Sequence, residues 1–354
     1  MNTDSIHFSV GLVRDPTDSD SAIALFEQQL LLLSRAYGID ACVFSPLSID
    51  CSLSSPEVPV QYWDGTAMRQ TVAVVPKILD CRFNLLLPEV VASLSTEQHR
   101  WLLQHSTFAD HRGILKEQLS QLLMCSPLYA MAIPTYKVEE YEELLRLAKM
   151  LQHCILKPSG GHHGRYVSRV DYEGITLSFE NANGTKELTT ELWERYKSAL
   201  VRTGMGIPIL QPRLNFSYDA EHAVDIRLLV AHGGSGAWEE VDSCARIGPN
   251  KLVSNVAQGG CVADTEGMLR QIAGARADEL LATLHRIAAE LPPMIERVVN
   301  GNITCLGFDI GIDRDTLEPY IIEANTFPGG TKSHSWDLAL KRAQYYQYLL
   351  RSMA

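Results

Sequence analysis

Residues 308–329 read FDIGIDRDTLEPYIIEANTFPG. Two apolar runs of strand character surround a turn-forming segment at residues 313–315, and this pattern predicts an antiparallel hairpin. Asp309 lies inside the first run, and Glu323 ends the second. Because a carboxylate in an apolar strand is costly to bury unless it is paired or bound to a metal, we expect these two side chains to have a function.

Asn325 adds an amide oxygen two residues beyond Glu323. Two carboxylates and an amide oxygen are hard ligands of the kind that Mg²⁺ prefers, and Mg²⁺ usually keeps its other positions for water and nucleotide phosphates. An exposed strand end for Glu323 and a turn cap for Asn325 are the structural alternatives. Because the three residues occur together with Pro-Gly-Gly at residues 328–330, the combination favours a metal site.

A second candidate site follows a short apolar strand predicted at residues 154–156. The next residues, 157–167, read KPSGGHHGRYV. Glycines let backbone N–H groups close on phosphate oxygens, and Lys157 at the strand end supplies positive charge. The order excludes a Walker A loop, in which the lysine follows the glycines. A hairpin turn with an ordinary surface lysine remains the alternative.

A third group of residues combines basic side chains from separate predicted strands. Asp225-Ile226-Arg227 is followed by Arg246, by Ser254-Asn255 and by Gly259-Gly260. Arginines that enter from different strands can clamp a phosphoryl group or a developing oxyanion. Either arginine taken alone is more typical of a surface or salt-bridge residue.

Composition limits the classes of function. A hydrophobic fraction of 46% is enough for a substantial core, and the length of 354 residues predicts two or three domains or subdomains. The net charge of −11 argues against a nucleic-acid coat or a basic membrane-surface protein. No run reaches the roughly 18 apolar residues of a membrane helix, and no signal peptide is visible. Eight cysteines without a Cys-x-x-Cys pair are typical of reduced thiols, so we expect a cytoplasmic protein.

The N-terminal third reads as α/β. A strand at residues 8–13, a helix ending near Gly38 and a strand at 41–44 predict a parallel, right-handed unit, and another apolar run covers residues 72–79. The absence of a G-x-G-x-x-G motif argues against a dinucleotide site. We expect domains at residues 1–108, 109–205 and 206–354, with α+β character in the last two.

Taken together, these motifs resemble an ATP-grasp enzyme, and in particular the spore-coat-associated YheC/YheD-like branch and the RimK-like amino-acid ligases. The resemblance covers about residues 105–335. It implies a parallel α/β pre-ATP-grasp domain, followed by two α+β subdomains that hold a nucleotide between them. In sequence order the matching residues are Lys116, Lys157 with its glycine loop, Gln211, Asp225, Arg227, Arg246, Asn255, Asp309, Glu323, Asn325, Pro328 and Gly329.

The resemblance also implies roles for the N-terminal half of this set. Lys116 and Lys157 would hold the α- and β-phosphates of ATP, and Gln211 lies where the family contacts adenine, often through a glutamate. The loop over the triphosphate would contain Ser159, Gly160, Gly161 and Gly164. The histidine pair at 162–163 departs from the small residues that are common in this loop.

The other implied roles concern ribose, phosphoryl transfer and metal. Asp225 would face the ribose, while Arg246 and Asn255 would face the γ-phosphate and an acyl phosphate. Arg227 would contact phosphate or the acceptor. The metal ligands would be Asp309, Glu323 and Asn325, holding two Mg²⁺ ions, with Mn²⁺ as an alternative.

The implied activity is ATP-dependent joining of a carboxylate, from an amino acid or peptide, to an amine acceptor through an acyl phosphate. Nucleic acid and membrane are not expected partners, and a homodimer is the common default for soluble enzymes of this size. The alternatives are a nucleotide-binding assembly protein of the spore-coat-associated type and an ATP-dependent kinase, which would form no amide.

Overall fold

The architecture comes from a computed structural model with three β-sheets. It describes residues 7–17, 21–81, 83, 85, 88–109, 113–160, 164–174, 176–181, 184–251, 254, 256, 259–299, 303–326 and 335–353. Within these ranges, no helix combines the length and the apolar character needed to cross a membrane.

The first sheet has the strand order β4-β3-β2-β1-β5-β6. Its strands are β1 (Val10–Val13), β2 (Ala41–Phe44), β3 (Glu57–Trp63), β4 (Met68–Val74), β5 (Ile78–Cys81) and β6 (Phe108–Ala109). The helices of this region are α1 (Ser21–Ala36), α2 (Pro88–Ser93) and α3 (Thr96–His105).

The predicted parallel unit is confirmed, because β1 pairs in parallel with β2 and also with β5. The apolar run at residues 72–79, in contrast, is not one strand. Its first residues end β4 and its last residues begin β5. Pro76 lies between them, and proline has no N–H to donate to a ladder, which explains the break.

The second sheet is antiparallel, with the order β11-β10-β9-β8-β12-β7. After α4 (Lys116–Met124), its elements are β7 (Tyr136–Lys137), α5 (Tyr141–Leu151), β8 (His153–Pro158), β9 (Ser168–Glu173), β10 (Thr176–Asn181), β11 (Gly184–Glu187), α6 (Thr190–Thr203) and β12 (Pro208–Pro212). Leu144 of α5 and Trp193 of α6 pack with Leu156 and Val170 on one face of the sheet. The neighbouring residue Lys157 therefore projects from the opposite face.

The third sheet is also antiparallel, with the order β15-β14-β13-β16-β17. Its elements are β13 (Val224–His232), β14 (Trp238–Ile247), β15 (Cys261–Asp264), α7 (Thr265–Ala273), α8 (Ala277–Val298), β16 (Cys305–Ile312), β17 (Pro319–Asn325) and α9 (Ser335–Met353). Gly311 in β16 permits a close approach, because a Cβ there would lie 2.6 Å from the Phe216 ring.

Packing between the sheets does not follow chain order. Leu119 and Leu123 of α4 belong to the core of the third sheet, although α4 precedes the second. Helix α9 packs on α1, and its Arg342 lies 3.0 Å from the buried Asp80 at the end of β5. Of the expected domain boundaries, the one at 205/206 falls just before β12, which pairs with β8 of the second sheet.

Candidate functional site

The predicted acidic hairpin is confirmed. Asp309 of β16 lies directly opposite Glu323 of β17 in an antiparallel ladder, with a bulge after Asp309. Residues opposite each other in such a ladder project from the same face, and Asn325, two residues along, shares it. Asn325 donates a hydrogen bond from Nδ2 to Oε1 of Glu323 at 3.0 Å. Three oxygen-bearing side chains therefore meet on one face.

Two arginines from neighbouring strands contact Asp309. Arg227 lies opposite it in the β13–β16 ladder and donates from Nε to Oδ1 at 2.5 Å and from Nη2 to Oδ2 at 3.2 Å. Arg246 of β14 reaches the same carboxylate, with Nη2 2.8 Å from Oδ2. The two basic residues expected from separate strands thus converge on one carboxylate.

Arg246 is fixed mainly by Asp225, its partner in the β13–β14 ladder. It donates from Nε and Nη2 to the two oxygens of Asp225 at 2.7 and 2.6 Å, and the Ser254 hydroxyl also donates to Asp225. Burial acts to lower the pKa of Arg246, but Asp309 and Asp225 outweigh it and raise the pKa. Asp225, expected to face a ribose, therefore orients Arg246 here; its contact with ribose stays a prediction.

Two lysines face the acidic hairpin. The Nζ of Lys116, at the start of α4, lies 3.2 Å from Oε2 of Glu323. Lys157 is only 7% exposed, and burial together with the nearby Lys116 lowers its pKa to about 7, although Glu323 and Asp309 act in the opposite direction. The lysine of the second sheet and the carboxylates of the third therefore lie within electrostatic reach of each other.

The two carboxyl groups are also coupled to each other. Burial raises the pKa of Asp309 despite its two arginines. Burial also acts to raise the pKa of Glu323, but the charge of Lys116, side-chain hydrogen bonding with Asp309 and the hydrogen bond from Asn325 hold that pKa well below its usual range. The two facing carboxyl groups therefore differ in their affinity for a proton.

A divalent cation would balance the same pair of charges, and with the Asn325 amide the donor set fits Mg²⁺. Elsewhere in the described ranges, as here, no group of three or more His, Cys, Asp or Glu side chains is placed to hold a metal ion. A metal at the acidic hairpin would therefore depend on the amide, on water and on phosphate for its remaining ligands.

The base of the glycine segment is anchored near Lys116. The backbone N–H of Lys116 donates to the carbonyl of Ser159 at 3.2 Å, and Ser159 Oγ accepts from Ile207 N at 3.2 Å. Gly206 permits this contact, because a Cβ there would lie 2.3 Å from Ser159 Oγ. Gly160 donates to the Met205 carbonyl. Gly164, further along the same segment, has a φ of +66°. The predicted site residues Gly161 and Asn255 lie outside the described residues, as do His162, His163 and the 328–330 segment.

The family model for YheC/D-like ATP-grasp proteins matches residues 105–352. The chain belongs to this ATP-grasp family. Over 223 residues it is 25% identical to the endospore coat-associated protein YheC of Bacillus subtilis (strain 168), covering 60% of this chain and 61% of YheC. The chain thus spans less than two thirds of the length of that relative.

Solved structures support the expected fold. The crystal structure of D-cycloserine synthetase DcsG matches with a TM-score of 0.55 and 15% identity, over 95% of this chain and 99% of that one. The ATP-grasp ligase PsnB complexed with its minimal precursor matches with a TM-score of 0.50 and 14% identity, over 97% and 100% of the two chains. At these identities the likeness shows the fold, and the predicted ATP-grasp architecture is confirmed.

In this ATP-grasp chain, Gln211 lies on the same sheet face as Lys157, since it pairs with Ile155 in the β8–β12 ladder. Its Nε2 donates to Thr135 Oγ1 at 2.7 Å, so its amide already has a partner within the protein. The adenine contact stays a prediction. No local pattern marks Thr135 as a partner of Gln211, because the contact joins residues 76 positions apart.

Arg169 was also missed. It lies opposite Ile155 in the β8–β9 ladder, and so it shares the sheet face of Lys157 and Gln211. The alternation of buried Ser168 and Val170 with Arg169 and Asp171 in β9 is the sequence signal that could have placed it.

Electrostatics favour an anionic ligand in this ATP-grasp site. Four cationic side chains meet three acidic ones: Lys116, Lys157, Arg227 and Arg246 against Asp225, Asp309 and Glu323. Because most of these groups are buried, their charges are weakly screened by water. The site can therefore hold a polyphosphate within a protein whose overall charge is −11.

Proposed function

We propose that the chain is an ATP-dependent carboxylate–amine ligase that forms an amide and releases ADP and phosphate. The observation that carries this proposal is the convergence of Asp309 and Glu323 with Lys157 across the two sheets. Candidate phosphate-binding cations and candidate metal ligands thus lie near each other, an arrangement that phosphoryl transfer from ATP requires.

Each wall of the site has a distinct task. Lys116 and Lys157 would neutralise the α- and β-phosphates, and the segment that begins at Ser159 and Gly160 would lie against the triphosphate. Gln211 would contact the adenine. The acidic hairpin would hold Mg²⁺, which when bound supplies charge neutralisation at the β- and γ-phosphates.

The reaction has two steps. The substrate carboxylate attacks the γ-phosphorus, the bond to the β–γ bridging oxygen breaks, and an acyl phosphate and ADP form. The amine then attacks the acyl carbon, phosphate leaves, and the amine loses a proton. No protein nucleophile is needed, because catalysis rests on position and charge.

Arg246 and Arg227 fit the transfer step best. Asp225 holds the Arg246 guanidinium through two hydrogen bonds, which keeps it oriented before the substrate arrives. Arg227 approaches from the adjacent strand and would contact the acyl phosphate or the acceptor. Asn255 is proposed beside them from sequence alone.

Substrates, location and assembly are parts of the same proposal. We assign the carboxylate to an amino acid or peptide and the acceptor to a small amine, acting in the cytoplasm, with a homodimer as the working assembly. The solved relatives include a D-cycloserine synthetase and an ATP-grasp ligase complexed with a minimal precursor.

A second candidate is a nucleotide-binding assembly protein. The specific observation in its favour is that the relative YheC is described as endospore coat-associated. In that case ATP would be held but consumed slowly or not at all. A kinase, the third possibility, would transfer the phosphoryl group without forming an amide.

Incubation with ATP, Mg²⁺ and pooled amino acids separates the three. A ligase yields ADP, free phosphate and a condensed product detectable by mass spectrometry. A stable phosphorylated product would replace the ligase by a kinase, and nucleotide binding without turnover would favour the assembly protein. The Glu323→Gln variant is the control, since it removes one carboxylate charge and keeps an acceptor for Asn325.

A further inference from the structure

We propose that Arg169 is a positioning residue that holds the two walls of the nucleotide cleft at their working separation; this inference deepens the proposed function and rests on it. Arg169 belongs to β9 of the second sheet. Its Nη2 donates to the main-chain carbonyl of Lys251, in the third-sheet region, at 3.1 Å. The bond joins residues 82 positions apart and crosses from one subdomain to the other.

On its own side, Arg169 is tied to the wall that carries Lys157. It lies opposite Ile155, two residues before Lys157, and opposite Glu180 of β10. Its Nη1 lies 3.4 Å from Glu180 Oε2, and its side chain is 20% exposed. The guanidinium is thus held from the sheet while it reaches across.

On the far side, the acceptor is tied to the wall that carries the arginines. Gly248 N donates to the Ala223 carbonyl at 2.8 Å, and Ala223 N donates to the Asn250 carbonyl at 2.9 Å. Ala223 directly precedes β13, whose second residue is Asp225. Movement of Lys251 is therefore transmitted through two hydrogen bonds to the strand that orients Arg246.

The burial and the shape of the Arg169 side chain suit it to this role better than an exposed, ion-paired side chain would be suited. Its Nε is buried and has no hydrogen-bond partner among the described residues, so the side chain is kept there at a cost in desolvation. The planar guanidinium of Arg169 donates to Glu180 and to the Lys251 carbonyl at the same time. Lysine has a single ammonium group and lacks this fixed fork of donors. The acceptor is a main-chain oxygen, which exists whatever the side chain at 251.

The expected effect is on preorganisation. Without the hydrogen bond from Arg169 to the Lys251 carbonyl, a smaller fraction of the free protein has its two sheets at the separation that binds nucleotide. The apparent affinity for nucleotide falls in proportion to that fraction. For a hydrogen bond that involves a charged group, we expect MgADP to bind roughly tenfold more weakly to Arg169→Met, whose side chain keeps the apolar stem. The KM for ATP should rise by a similar factor while kcat changes less.

Two matched variants test the assignment. Lys251→Ala removes a neighbouring cation but keeps the carbonyl, so binding should stay within about twofold of wild type. Arg195→Met removes an exposed arginine from α6, which covers the other face of the sheet, and should also have no effect. The affinity of Arg169→Lys for MgADP should lie between that of wild type and that of Arg169→Met.

Calorimetry with MgADP and hydrogen exchange without nucleotide are the measurements. We expect weaker binding and faster exchange of residues 247–251 in Arg169→Met alone. Equal MgADP affinity in Arg169→Met and wild type would overturn the inference, as would an equal loss in Lys251→Ala. If wild type binds no MgADP, the proposed function fails, and unchanged exchange in Arg169→Met then separately overturns the positioning role.

Discussion

Arg246→Met is the substitution that tests the buried charge network most directly. The variant keeps an apolar side chain of similar length but removes the cation from between Asp225 and Asp309. The side chains of Arg246 and Asp225 are only 10% and 6% exposed, so water cannot replace the lost contacts. We therefore expect a large fall in the free energy of unfolding.

The size of this loss depends on the partners that Asp225 and Asp309 keep in the variant. Removing one partner of a buried ion pair typically costs about 3–5 kcal/mol. Asp225 keeps the Ser254 hydroxyl and Asp309 keeps Arg227, which places the expected loss at the low end, about 3 kcal/mol. Such a loss is a large part of the roughly 5–15 kcal/mol that stabilises a typical protein.

Urea unfolding followed by tryptophan fluorescence measures this loss, since Trp238 begins the strand that carries Arg246. The double variant with Asp225→Asn should recover at least about 1 kcal/mol, because neither partner is then left as an unpaired buried charge. Arg270→Met, at an exposed pair on α7, is the control and should change stability by less than about 0.5 kcal/mol. A loss under 1 kcal/mol in Arg246→Met, or strict additivity in the double variant, would refute the reasoning.

Other substitutions separate function from folding. Lys157→Met should raise the KM for ATP about tenfold without lowering the melting temperature, because burial lowers the pKa of the lysine to about 7 and its charged form is already disfavoured. Steady-state kinetics measure the first effect and a thermal melt the second. A variant that unfolds would show that the role of Lys157 is structural. Glu323→Gln should abolish turnover and weaken Mg²⁺ binding in a titration while the fold survives, so unchanged activity would remove Glu323 from the site. Gly311→Ala should lower the free energy of unfolding by about 2 kcal/mol in a denaturation curve, since its Cβ would lie 2.6 Å from the Phe216 ring. Gly113→Ala is the control and should be tolerated, because the nearest atom to its Cβ would be 3.9 Å away. Equal stability of the two variants would contradict the described packing.

Local patterns were sufficient to predict the elements that carry the chemistry. Alternation and turn residues predicted the hairpin that pairs Asp309 with Glu323, and the apolar runs around α1 predicted the parallel unit of the first sheet. The pattern also predicted that Lys157 directly follows a strand at residues 154–156, and it is the penultimate residue of β8. In each case the information lies within a segment of fewer than about 40 residues.

Contacts between distant segments were beyond such patterns. Lys116 reaches Glu323 because α4 leaves its neighbours in sequence and packs in the core of the third sheet, and nothing in the helix itself specifies that partner. The two hydrogen bonds from Arg246 to Asp225 likewise depend on strand register, so the sequence named both residues but not their pairing. The contact of Arg169 with the Lys251 carbonyl was missed for the same reason, since it joins residues 82 positions apart, although the alternation in β9 could have placed the arginine on its sheet face.

The return of α9 to the first sheet has a consequence for synthesis on the ribosome. Tyr346 is fully buried beside α1 and donates to Asp80, so the apolar cluster around β1 contains side chains from both α1 and α9. The N-terminal region cannot complete its core when it first emerges, since part of that core has yet to be translated. We expect the nascent α/β unit to remain dependent on chaperones until α9 has been translated and can pack against α1.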